Sequence, residues 1–349
     1  MTSVGDGFDA VMVLSFGGPD KPADVRPFLE NVTRGRGVPP ERLDEVAKHY
    51  HHFGGVSPIN ALNKQIIGAL ESELDRTGIE LPVYFGNRNW HPMIEETLAR
   101  IHADGHRRVL VFPTSAWGGY SGCRQYDEDI RRGLQAIGDK ADSMVVRKLP
   151  QYWDHPAMTA SWADSIRAAS AELPPQLRDD ARLIFTAHSI PDSADRAAGP
   201  PQEGGRLYSR QVADASRLAA EAAGFSSFDQ VWQSRSGPAR IPWLDPDICD
   251  HLDDVAAQGV RAVIVCPIGF VSDHLEVVWD LDNEGLEKAQ ELGLGYARAK
   301  TVGTDPRFIA MIAELIAEQL AGTVPFRQGM TDNGAPCALG CCEPVRRPA

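Results

Sequence analysis

The feature that most constrains this chain is an alternation, kept up almost from end to end, of short apolar runs with longer amphipathic stretches. The runs predict strands at Ala10–Ser15, Pro82–Phe85, Arg108–Phe112 and Met144–Lys148 in the first half. In the second half they predict strands at Arg182–Ala187, Gln230–Gln233, Ala262–Pro267 and Tyr296–Thr301. Between them a helical period recurs over residues 23–33, 40–52, 61–76, 92–104, 124–137, 156–172, 206–223, 246–258, 272–291 and 305–321. Runs without polar alternation, such as Val109-Leu110-Val111-Phe112 and Val263-Ile264-Val265, suit a parallel sheet covered on both faces. Four βα units per half therefore predict an α/β fold with two doubly wound parallel sheets. A chain of 349 residues gives each half enough length for a core of its own.

Charge and hydropathy narrow the function. The formal net charge of −13, from 35 Lys and Arg against 48 Asp and Glu, disfavours general nucleic-acid binding and electrostatic attachment to anionic lipid. No apolar run approaches the ~20 residues that span a bilayer. Met1–Phe8 is short and acidic and does not read as a secretory signal, so a cytoplasmic protein is expected. The Gly17-Gly18 pair lacks dinucleotide-binding spacing and no phosphate-loop motif occurs, which gives nucleotide binding little support.

Ligands of open α/β sheets bind beyond the carboxyl ends of the strands. The turns there are Phe16-Gly-Gly-Pro19, Pro113-Thr-Ser115, Ala187-His-Ser-Ile-Pro191 and Pro267-Ile-Gly-Phe270. His188 stands at such an end, and imidazole can ligate a transition metal when neutral or accept a proton near pH 7. Gly269-Phe-Val-Ser-Asp-His-Leu-Glu276 leads into Asp280 and Glu284, which on a helix put Glu276, Asp280 and Glu284 on one stripe. Like charges four apart cost a helix about 0.2–0.5 kcal/mol per pair. A solvated acidic face is the ordinary explanation. Here Val277, Val278, Trp279 and Leu281 make most of the remaining circumference apolar, and carboxylates along a buried helix imply a cation. Ala198–Gly205 is aperiodic and reads equally as a lid or a connection.

Of six cysteines, Cys123, Cys249 and Cys266 lie in the body, whereas Cys337, Cys341 and Cys342 crowd the carboxyl terminus. In a reducing compartment such a cluster suggests a metal site rather than a disulfide framework. The tail thiols plus one from the body could hold an iron–sulfur cluster or tetrahedral zinc. Residues 323–349 are expected to be disordered unless a ligand ties them down.

Five stretches together resemble the ferrochelatase family. They are Ser15-Phe-Gly-Gly-Pro19, Gly54-Gly-Val-Ser-Pro58, Phe185-Thr-Ala-His-Ser-Ile-Pro191, Trp232-Gln-Ser-Arg-Ser-Gly-Pro238 and Gly269-Phe-Val-Ser-Asp-His-Leu-Glu276. They occur in the family's order across residues 8–320, and the cysteine-bearing tail is most similar to the iron–sulfur-containing coproporphyrin III ferrochelatases of high-G+C Gram-positive bacteria. The resemblance implies two Rossmann-like domains with a porphyrin in the cleft between them, read as residues 8–155 and 156–304, with a helix at 305–322 packing back on the first and a tail at 323–349. It implies ferrous iron and coproporphyrin III as substrates, with protoporphyrin IX or a non-enzymatic haem carrier as alternatives. By position His188 and Glu276 would contact iron, Asp280 and Glu284 would conduct iron or protons, and Trp232 would back the macrocycle. Ser57 and Tyr126 match propionate positions and Tyr50 neighbours another. Phe16 stands where many relatives place a ligating tyrosine. Thr33 and His49 stand where relatives often carry arginine, for which Arg34 and Arg36 could substitute. The resemblance favours a 2Fe–2S cluster on Cys123, Cys337, Cys341 and Cys342, leaving Cys249 and Cys266 as ordinary thiols. A monomer is expected, with at most transient contact to the next haem-pathway enzyme.

Overall fold

The computed structural model describes residues 7–35, 37–237, 240–322 and 327–345. In chain order the strands are β1 (Ala10–Ser15), β2 (Val83–Asn87), β3 (Arg108–Pro113), β4 (Val145–Lys148), β5 (Arg182–His188), β6 (Asp229–Gln233), β7 (Ala262–Cys266), β8 (Gly295–Arg298) and β9 (Thr331–Asp332). The helices are α1 (Val25–Val32), α2 (Pro40–His52), α3 (Ile59–Thr77), α4 (Ile94–Ala103), α5 (Gln125–Ala136), α6 (Pro156–Glu172) and α7 (Pro175–Arg178). They continue as α8 (Asp192–Arg196), α9 (Leu207–Ala223), α10 (Ile248–Ala257), α11 (Leu275–Val277), α12 (Gly285–Glu291) and α13 (Pro306–Leu320). No helix among the described residues is long and apolar enough to cross a membrane.

The chain divides into two compact units. The first comprises Met1–Ser115, Ser121–Gln151 and Ile309–Leu339, the second Ala116–Tyr120, Tyr152–Phe308 and Gly340–Ala349. In the first unit β2, β1, β3 and β4 run parallel in that order, and β9 pairs antiparallel on the β4 edge. Every residue of β1 is buried, as its unbroken apolar run requires. Tyr126, Ile130 and Leu134 of α5, spaced four apart, meet Ile94, Leu98 and Ile101 of α4 in the core over β1 and β3.

The second unit carries a fully parallel sheet, β6-β5-β7-β8. Val263, Ile264 and Val265 in β7 are wholly buried, each contributing about 1.5–3 kcal/mol through removal of apolar surface from water. On one face Val263 and Val265 join Leu252 and Val255 of α10 with Val277 and Leu281. β8 ends at Arg298 rather than at Thr301, although the Ala299 N–H still reaches the Val265 carbonyl at 2.8 Å.

One expectation needs correction. Residues 272–291 are not one α-helix: α11 passes into a π-helical stretch, Val278–Glu284, before α12. Each π turn closes its hydrogen bond one residue later than an α turn, so side chains four apart stay close to one line instead of drifting around the axis. Within the tail, Thr331–Asp332 forms β9, paired antiparallel with β4.

Candidate active site

In the second unit β5 is buried from Leu183 to Ala187 and ends on His188 at the carboxyl edge of the sheet. Its neighbour β6 ends in register, with Gln233 opposite His188 and Trp232 opposite Ala187. The turn after β7 closes over this edge. The Gly269 N–H donates to the Thr186 carbonyl at 3.2 Å, and a Cβ on Gly269 would stand 2.7 Å from that of Ala187. Only glycine lets the turn lie this close. Trp117 Nε1–H donates to the Gly269 carbonyl at 2.8 Å, and its ring stacks on Trp162.

His188 Nδ1 lies 2.6 Å from the Ser189 carbonyl. A carbonyl only accepts, so Nδ1 carries the hydrogen, and in the neutral ring Nε2 keeps its lone pair. Nε2 is 3.6 Å from Glu276 Oε2, and both side chains remain partly exposed, at 36% and 45%. Burial pushes the imidazole pKa down, but the Glu276 carboxylate, the Ser189 carbonyl and the charge of Asp280 carry it above its ordinary value. The buried hydroxyl of Tyr208 donates to the His188 carbonyl at 2.9 Å and fixes the strand end. Its ring meets Trp232 at 5.6 Å.

Asp280 projects from the π-helical stretch toward the end of β6. Gln233 Nε2 donates to its Oδ2 at 3.1 Å, and Ser234 Oγ donates to the same oxygen. Thr186 Oγ1 donates to Gln233 Oε1 at 2.8 Å, which turns the amide so that its N–H groups face Asp280. Burial pushes the Asp280 carboxyl up to about 7, the charges of Glu276 and Glu284 add to the rise, and the two hydrogen bonds oppose it. Glu284 is solvent-exposed, at the end of this acidic row. Val278 and Trp279 are only partly buried, so the row is less enclosed than its apolar neighbours suggest. Gln233 and Ser234 follow Trp232 in a motif legible in the sequence, yet their roles depend on pairing of β6 with β5. His274, two residues before Glu276, is held below its ordinary pKa by burial.

The other expected site residues lie in the first unit. Phe16 is 37% exposed and edge-on to Phe28, whose ring also meets Tyr50 and Trp90. Ser57 is buried against Gly18. Arg34 is exposed, His49 is half-buried in the last turn of α2, and Arg36 lies outside the described residues. Tyr126 is 4% exposed, inside the core, with the Arg88 guanidinium 4.4 Å over its ring and its hydroxyl hydrogen-bonded with Thr114.

Among the described residues no three of His, Cys, Asp and Glu form a metal cage. Cys123 and Cys337 belong to the first unit, Cys341 and Cys342 to the second. Locally, Cys341 and Cys342 place their sulfurs 3.6 Å apart, and the Gly199 N–H donates to Cys342 Sγ at 3.1 Å. Lys148 Nζ donates to Cys123 Sγ at 3.3 Å.

Residues 8–320 match the model of the ferrochelatase family. The chain is 63% identical over 347 residues to the coproporphyrin III ferrochelatase of Nocardia farcinica, with 98% of each chain covered. It is 56% identical over 343 residues to that of Mycolicibacterium smegmatis, covering 96% of this chain and 99% of the relative. For Corynebacterium glutamicum strain R the identity is 54% over 344 residues, covering 97% and 92%. Among solved structures, SirB from Bacillus subtilis with Fe³⁺ aligns with a TM-score of 0.55 at 13% identity, over 91% of this chain and 99% of that one, a likeness of fold.

Proposed function

The chain belongs to the ferrochelatase family, and from that premise we propose that it inserts ferrous iron into coproporphyrin III during haem synthesis. The observation that carries the mechanism is the row formed by His188, Glu276 and Asp280 at the carboxyl edge of the second sheet. Insertion exchanges two pyrrole N–H protons for one Fe²⁺, so the site needs a base, a route for protons and a place for positive charge. Neutral His188 offers its Nε2 lone pair to a pyrrole proton while Ser189 fixes the ring. Glu276 stabilises the imidazolium that forms and balances the arriving iron. Asp280, with its pKa near neutrality, takes and releases protons at working pH and relays them toward exposed Glu284.

Trp232 and Phe16 are assigned to macrocycle contacts, and Arg34, His49, Tyr50 and Ser57 to its carboxylates. A macrocycle held puckered by such remote contacts exposes nitrogen lone pairs that a flat ring keeps in plane. The chain is read as a cytoplasmic monomer that passes its product on through transient contact. The test is anaerobic insertion of Fe²⁺, followed by loss of free-base fluorescence, with coproporphyrin III and protoporphyrin IX compared. Coproporphyrin III should give the higher kcat/KM, and equal or inverted values overturn the substrate assignment.

Cys123, Cys337, Cys341 and Cys342 are proposed to hold a 2Fe–2S cluster, which would supply one-electron redox chemistry. Support comes from the paired sulfurs of Cys341 and Cys342 and from the N–H donors on Cys342 and Cys123, the kind of bond that tunes cluster sulfurs. Protein purified without oxygen should carry about two irons and two sulfides per chain, lost together in Cys341→Ser. Iron-free, colourless protein rules this reading out.

A further inference from the structure

The first unit contains a buried polar knot that the proposed insertion chemistry does not use. Lys148 Nζ, with its side chain 2% exposed, contacts Asp127 Oδ1 at 2.7 Å and donates to the Cys123 carbonyl at 3.0 Å as well as to its thiol. Thr331 Oγ1, from the tail, donates to the same Asp127 oxygen at 2.6 Å. The knot thus runs unbroken from the tail to the Cys123 sulfur.

The tail around Thr331 is fastened at several further points. Arg147 grips Asp332 with both arms, at 2.7 and 2.9 Å. Asn333 accepts from the Val146 N–H at 2.7 Å and returns its own N–H to the Val146 carbonyl at 2.8 Å, continuing the β4–β9 ladder. Arg131 donates to the Gly334 carbonyl, and a Cβ on Gly334 would stand 2.3 Å from the Asp127 carbonyl, so the chain there lies flush against α5. Upstream, the Gln151 N–H donates to the Gln328 carbonyl at 3.0 Å. Gly329 then walls a cavity of about 10 Å³ whose other lining includes Gly122, Cys123 and Lys148, room for one water at most.

We propose that residues 328–334 are a strap seated by the protein itself over the Cys123 thiol, so that Cys123 becomes reachable only when the strap lifts. Lifting it opens the Cys123 pocket and releases the segment bearing Cys337 in one event. Every fastening named is a protein contact, so closure is expected to persist when the tail thiols cannot hold metal. Its use in assembling a cluster rests on the proposed cluster reading, but its closure does not.

The test uses the full chain with Cys337→Ser, Cys341→Ser and Cys342→Ser, so that no tail thiol can hold metal. N-ethylmaleimide alkylation is followed residue by residue by mass spectrometry, with Cys123 in the urea-unfolded chain as the reactive reference and fully buried Cys266 as the folding control. With the strap intact, Cys123 should react far more slowly than in the unfolded chain. Asn333→Ala or Asp332→Ala should accelerate Cys123 by about tenfold or more while Cys266 stays protected, since each removes bonds that hold the closed state. Alkylation of Cys123 in the intact strap as fast as in the unfolded chain, or rates indifferent to both substitutions, overturns the proposal. If Asn333→Ala also opens Cys266, Asp332→Ala alone decides. Iron and sulfide analysis of the unsubstituted protein reads the cluster separately, so either idea can fail without the other.

Discussion

His188→Ala is expected to abolish iron insertion while porphyrin binding survives. The substitution removes the Nε2 lone pair that takes the pyrrole proton, and with it the imidazolium that Glu276 stabilises. Loss of a positioned general base costs typically about 10²–10⁴-fold in kcat. The macrocycle contacts assigned to Phe16 and Trp232 and the carboxylate contacts assigned to Tyr50 and Ser57 are untouched, so the Kd read by fluorescence quenching should change little. Substantial retained turnover would show that another group takes the proton.

The pH dependence of the unsubstituted enzyme supplies a second reading of the same residue. His188 has its pKa raised above the usual histidine value, so it stays protonated to higher pH than an isolated imidazole. Only the neutral ring can accept a proton, so kcat/KM should rise with pH through that raised value. Glu276 is the largest of the influences that raise it, and burial acts against them. Glu276→Gln should therefore move the acid limb to lower pH as well as reduce the rate. A limb that stays in place would separate His188 from the observed titration.

Much of this arrangement was legible in the sequence because it depends on local periodicity. β1, β3 and β7 are continuous apolar runs, and such runs have few alternatives in a chain of this length. His188 was legible for the same reason, since a polar residue closing an apolar strand marks the functional edge of the sheet. The π-helical stretch was not: Val278–Glu284 has unremarkable helix-forming composition, and the wider turn follows from packing around Leu281 and the hydrogen bonds to Asp280. Gln233 and Ser234 were hidden in the same way, because their partner lies 46 or more residues away. Lys148 is the sharpest case. A lysine ending an edge-like strand reads as solvated, yet α5, Cys123 and the tail bury it completely.

Lys148→Ala should therefore be the most destabilising of the substitutions considered, although nothing in the local sequence marks it. Lys148 and Asp127 are each 2% exposed, and removing the ammonium leaves the Asp127 carboxylate buried with the Thr331 hydroxyl still donating to it. Breaking one side of such a pair costs about 3–5 kcal/mol, because the surviving charge loses its compensation without regaining water. For units of this size that corresponds to a fall in Tm on the order of 10 °C. Asp127→Leu should be comparably severe, since Lys148 would keep only neutral partners. Replacing both, as Lys148→Met with Asp127→Leu, removes the two desolvated charges together and should recover most of the loss. The discriminating quantity is the coupling from the double-mutant cycle by thermal and denaturant unfolding. Strong non-additivity, with the double variant more stable than either single one, is the expected result. Small additive effects would mean that water reaches the pair and that the knot does not hold the tail.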